Sequence, residues 1–168
     1  SAAGLAASKA GLPFNMDAWD GYPVQREALL KSAQGVDADL IVLSGDSHNG
    51  WGFDLAADGK PAGVEFAGHA VTSPGFEAYA PTIAPKDVAG ALIRGNPQLK
   101  WADTGSRGYM TVNLTQEKAT SHCHAMRTIR EQSKELAGTE SRSVLPGRKT
   151  ISEPGWSRWS PSGDASNA

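Results

Sequence analysis

Asp46 and His48 are the residues of this chain whose types and spacing best suit chemistry. They stand in Gly45-Asp46-Ser47-His48-Asn49, directly after the apolar run Asp39-Leu-Ile-Val-Leu-Ser. Two positions apart on a turn, both side chains can converge on one metal centre. A carboxylate oxygen with an imidazole nitrogen suits iron, manganese, zinc or cobalt. The same spacing also fits a turn-capping aspartate beside an exposed histidine, and pattern alone leaves both readings open.

Four other groups carry chemistry-bearing side chains. Asn15, Asp17, Trp19 and Asp20 form a dense polar and aromatic segment that can line a substrate pocket or serve as a packed turn before a helix. Glu65 and His69 share a face if residues 64–73 are one strand, and can then pair as outer support for a metal ligand; a structural histidine with a satisfied ring is the alternative. Arg107 offers a guanidinium matched to phosphate geometry, or a surface charge at a strand end. His122 and His124 fall on one face of an alternating run, with no third ligand placed beside them, and read as a solvent face. Cys123 between them points to the apolar side as a buried core residue.

The elements that must position these groups follow from punctuation and periodicity. Residues 1–21 read as a lead-in loop with Gly11, Pro13 and the turn pair Asp20-Gly21. Pro23 suits the first turn of a helix that good helix formers carry as far as Gly35. The apolar run after Asp39 predicts a buried strand, which places Asp46 and His48 at its carboxyl end, where α/β folds put their sites. Further strands are expected over about 63–73, 98–103, 107–114 and 118–126, all in one mixed sheet. The last two form an antiparallel hairpin with Met110, Val112 and Leu114 on one face. Residues 86–94 predict a short helix. From Ser133 onward the chain is polar, and residues 133–168 read as an extension, extended or disordered over 152–168 apart from Trp156 and Trp159.

Bulk properties exclude several classes. A net charge of −2, with charges mixed along all 168 residues, gives no electrostatic case for a nucleic-acid-binding surface. With one cysteine there is no internal disulfide and no cysteine-based zinc cluster. No apolar run approaches the roughly 18 residues of a membrane span. The start of the chain lacks the basic and apolar regions of a signal peptide and reads as a cut inside a longer protein.

Five motifs in order set these residues in a family context. Met16-Asp-Ala-Trp-Asp-Gly-Tyr is followed by the helix, then by Gly45-Asp-Ser-His, Val64-Glu-Phe, Val71-Thr-Ser-Pro-Gly and Arg107-Gly-Tyr. This series, over about residues 11–126, resembles the C-terminal part of alkaline phosphatase D (PhoD-type) metallophosphatases. One departure is Gly68-His69-Ala70, where a more hydroxyl-rich stretch is expected. The resemblance implies an α/β fold, the second half of a four-layer α/β/β/α sandwich with few helices, the catalytic part covering residues 22–132. It implies metal-dependent hydrolysis of phosphate mono- or diesters, with a periplasmic or secreted location. Two metal ions per full-length site are implied, with calcium, iron, zinc and manganese all open. Asp46 and His48 take the role of late metal ligands and catalytic residues.

The remaining ligands belong to motifs earlier in the family's chain, a Gly-Asp strand end and an Asp-Asp-His-Glu segment, and neither occurs in this sequence. The expected partners are therefore a phosphate ester substrate and an N-terminal part of the same polypeptide, with a broad apolar face for that part to cover. The piece alone is expected to be inactive. The competing reading is a non-catalytic α/β module that binds or supports.

Overall fold

In the computed structural model, which describes residues 17–152, helix α1 spans Pro23–Gly35. Proline occupies its first turn, where the missing N–H costs nothing. Leu30 and Ala33, three apart, are its buried residues and face the sheet behind. Gln34 Nε2 donates to the Lys60 carbonyl at 2.8 Å, tying the end of the helix to a hairpin turn.

Strand β1 (Leu40–Ser44) pairs in parallel with β3 (Lys60–Ala67), and β2 (Gly50–Ala57) pairs antiparallel with β3 and with β4 (Leu99–Asp103). The first sheet thus has the order β1-β3-β2-β4. Asp58 and Gly59 make the β2–β3 turn, both at positive φ (51° and 72°), as a two-residue hairpin loop requires. Between β3 and β4 lie a single helical turn, α2 (Phe76–Tyr79), and the helix α3 (Pro85–Gly95). Strands β5 (Gly108–Leu114), β6 (Ala119–Met126) and β7 (Leu136–Val144) form a second, antiparallel sheet in chain order.

Helix, first sheet and second sheet stack as three layers around two apolar clusters. Leu30 packs with Leu55, Ala57 and Ala62 between α1 and the first sheet. Val64 and Phe66 of β3 meet Ala119 and Val144 between the two sheets. This is a partial α/β sandwich with few helices. No helix among the described residues is long and apolar enough to cross a membrane.

Several expectations change. The strands do not share one sheet: those over 107–114 and 118–126 belong to a separate sheet, because among the described residues β4 pairs with β2 alone and the chain then crosses to the other layer. Strand β2 has no counterpart among the expected strands, and β7 forms within the polar extension expected from Ser133. The strand expected over 63–73 stops at Ala67. Leu114 is exposed instead of sharing the inner face with Met110. Asn15 and all but Ser152 of residues 152–168 lie outside the described residues.

Candidate metal and substrate site

The loop after β1 is shaped by residues that tolerate unusual backbone. Asp46 and His48 both adopt left-handed conformations at φ 63°, which aspartate and histidine reach more readily than most residues. Each such residue costs on the order of 1–3 kcal/mol unless its surroundings hold it. Asn49 does the holding. It is 2% exposed, its Nδ2 donates to the Ser47 carbonyl at 2.5 Å, and its Oδ1 accepts the Phe76 N–H at 3.1 Å.

Asp46 is exposed and lines a cavity of about 660 Å³ with Asp17, Trp19, Trp51 and Glu65. The fold therefore brings four sequence candidates to one concavity. Glu65 alternates with Val64 and Phe66 along β3, so it points to the opposite face from the inter-sheet core. There it accepts the Ser44 hydroxyl proton at 2.5 Å. Trp51, which sequence reasoning missed, donates its indole N–H to Ser47 Oγ at 2.6 Å and packs edge-on against Phe76, ring centres 6.0 Å apart. It fixes the wall beside Asp46. An indole two residues into a strand after a candidate ligand loop is the signal that could have found it.

His48 Nδ1 lies 2.8 Å from the Pro74 carbonyl oxygen. A carbonyl only accepts, so Nδ1 carries the proton and Nε2 of the neutral ring keeps its lone pair. That is the arrangement metal-binding histidines adopt. The donor chemistry of Asp46 and His48 therefore suits a metal ion, although Asp46 lines the cavity and His48 is not among the residues lining it. Among the described residues no group of three or more His, Cys, Asp or Glu is placed to hold one unaided.

The other candidates lie elsewhere. Glu65 and His69 do not pair, because β3 ends two residues before His69 and the chain turns inward. His69 is buried beside Trp101, with Nε2 3.1 Å from Asp103 Oδ2. A Cβ on Gly50 would come within 2.6 Å of that nitrogen, so only glycine fits there. Burial opposes ionisation of Asp103, but the approach of His69 Nε2, the nearby Ser106 side chain and hydrogen bonds from the Gly105 and Ser106 amides outweigh it. Its carboxyl is held well below the usual carboxylate range. A depressed folded-state pKa contributes stability that is complete above the unfolded value of about 3.9 and is lost as pH falls through the folded one. The stability lost in Asp103→Asn should therefore be largest above about pH 4 and shrink in stronger acid. Thermal unfolding of both proteins across that range checks it; a constant difference would contradict it.

Arg107 is not a surface charge. It is 8% exposed, and its guanidinium binds Glu77 and the Ser106 carbonyl. His122 and His124 are half-buried and stack 6.2 Å apart. Their Nδ1 atoms contact Ser141 and Thr139 across β7 at 2.7 and 2.9 Å. Burial, and then the neighbouring His122, lower the pKa of His124. Cys123 is buried as expected, and burial pushes its thiol up to about 11.

Comparison with known proteins places this geometry in a family. The PhoD-like phosphatase family model matches residues 2–123. Alkaline phosphatase D of Bacillus subtilis (strain 168) is 31% identical over 108 residues, which are 61% of this chain and 18% of that protein. A solved structure of PhoD superposes with a TM-score of 0.66 at 22% identity, covering 82% of this chain and 26% of the other. The chain thus spans about a fifth to a quarter of the length of the relatives it matches. With most of its length inside the family model and the Asp46–His48 loop within that match, this chain belongs to the PhoD-like phosphatase family.

Proposed function

We propose that the full-length protein hydrolyses phosphate mono- or diesters in a metal-dependent reaction, in a periplasmic or secreted location, and that this chain supplies part of the site. The observation carrying the reading is the Asp46–His48 loop. A carboxylate opens on a cavity and a histidine two residues on is set with Nε2 free for a metal, in a chain of the PhoD-like phosphatase family. The curated relative is named an alkaline phosphatase.

Asp46 and His48 would hold metal through a carboxylate oxygen and Nε2. When bound, the two ions supply Lewis acidity to the phosphoryl oxygens and lower the pKa of the attacking water. The remaining work falls to the protein. Carboxyl groups of Asp17, Asp46 and Glu65 line the cavity, and such a wall repels a phosphate unless cations stand between them. Trp19 and Trp51 add aromatic surface to the same wall. A volume of about 660 Å³ lies within the range of small-ligand sites.

The test is turnover of phosphate mono- and diesters by the full-length protein, before and after chelation and after metal is restored. Activity that chelation abolishes and metal restores is expected. A metal-replete protein inert towards both ester classes would favour the non-catalytic module instead.

A further inference from the structure

The Pro74–Gly75 peptide unit is gripped at both ends. Its carbonyl accepts the His48 Nδ1 proton at 2.8 Å, and its N–H donates to Glu77 Oε1 at 3.0 Å. A trans peptide points these two groups in opposite directions, so Glu77 and His48 sit at opposite edges of one rigid plane. Glu77 Oε1 also binds the guanidinium of Arg107, whose other terminal nitrogen donates to the Ser106 carbonyl at 2.6 Å. Asn49 ties the next peptide to the metal loop through the Phe76 N–H. A Cβ on Gly75 would lie 2.5 Å from Asn49 Oδ1 and 3.1 Å from the His48 carbonyl oxygen. The two segments therefore touch backbone to backbone, with no slack in which His48's acceptor can drift.

We propose that Glu77 is a positioning residue for His48: acting through the Pro74–Gly75 peptide, it fixes the acceptor that sets the histidine's tautomer and ring direction, with Arg107 holding Glu77 in place. This rests on the reading of His48 as a metal ligand. An anionic carboxylate on the N–H end polarises the peptide and makes its carbonyl a stronger acceptor. A firmer Nδ1–H bond in turn makes Nε2 a better donor to metal. The ion pair of Arg107 and Glu77, 30 positions apart in sequence, joins a buried guanidinium to a half-buried carboxylate and then has a use beyond packing, since an ion pair, buried or exposed, is weak evidence for stability alone.

The experiment uses the full-length apoprotein titrated with zinc(II) in competition with a chelator, with melting temperature measured in parallel. Glu77→Asp keeps the charge opposite Arg107 but draws the carboxylate back from the Gly75 N–H. Glu77→Gln combined with Arg107→Met removes both charges, so no unpaired guanidinium is left to unfold the protein. Each is expected to weaken zinc binding about 10–100-fold, as loss of outer support for a ligand does, with melting close to that of the parent. His48→Ala, titrated alongside, separates the two layers of the argument. If His48→Ala loses zinc while both Glu77 variants bind like the parent, the positioning role is wrong and the ligand assignment survives. If His48→Ala binds zinc normally, the ligand assignment fails and the positioning role goes with it. Affinity that falls only in step with lost folded protein, in both Glu77 variants, would reduce the pair to a structural bond.

Discussion

Asp46→Asn in the full-length protein is expected to lower phosphate ester turnover by at least about 100-fold while leaving the fold intact. Outer partners of a metal ligand typically contribute about 10–100-fold to affinity or activity, so a ligand itself sets a higher floor. The substitution keeps the shape of the side chain and removes its charge. Asp46 is exposed, so no core contact is lost with it. What changes is the charge that Asp46 presents to the cavity, which on the proposed assignment balances a cation. His48→Ala should lower both metal content and rate, because Nε2 is the atom left available once Nδ1 is committed to Pro74. His122→Ala and His124→Ala serve as controls. They lie on the second sheet, bonded to Ser141 and Thr139, and their activity should stay within about twofold of the parent. Turnover and metal content measured together decide the matter: near-parental values for Asp46→Asn and His48→Ala would remove both from the site.

Much of this arrangement is legible in the amino-acid sequence. Pro23 and the helix formers after it mark α1, and the apolar run before Gly45 marks β1, although β1 lies at the edge of its sheet among the described residues, with Leu43 exposed, and is not the buried strand expected. Alternation over residues 107–126 marks the β5–β6 hairpin. What escapes does so for physical reasons. Strand β2 begins Gly50-Trp-Gly, and two glycines hide a strand whose other signal is the Asp58-Gly59 turn. Strand β7 is the edge of its sheet and buries only Val144, so it needs few apolar residues and looks like a polar tail. The expected Glu65–His69 pair fails because a two-residue periodicity does not hold past the point where the ladder ends. Glu77 and Asn49 carry no local pattern at all. Their partners, Arg107 and Phe76, are 30 and 27 positions away, and one sequence does not reveal such distances.

Phe66→Ala is expected to destabilise the full-length protein by about 3–5 kcal/mol, as large-to-small changes at buried aromatic positions do. Phe66 is 2% exposed, at the centre of the cluster that joins β3 to β6 and β7. Its backbone pairs with Leu43 on one side and Gly52 on the other, so little can close over the space it vacates. Against a typical total of about 5–15 kcal/mol, that loss should be plain in urea unfolding at fixed metal loading. The preceding residue, Glu65, gives the opposite result. It points into the cavity, and its bond to Ser44, worth about 1.5–3 kcal/mol as a bond to a charged group, is kept in part by the amide oxygen of Gln. Glu65→Gln should therefore cost little stability and act instead on substrate or metal binding, whereas Phe66→Ala should spare zinc affinity in the molecules that remain folded. One strand then serves both duties because successive side chains leave a sheet on opposite faces. Equal stability losses from the two substitutions would mean that β3 does not separate core from site in this way, and that Glu65 belongs to the packing.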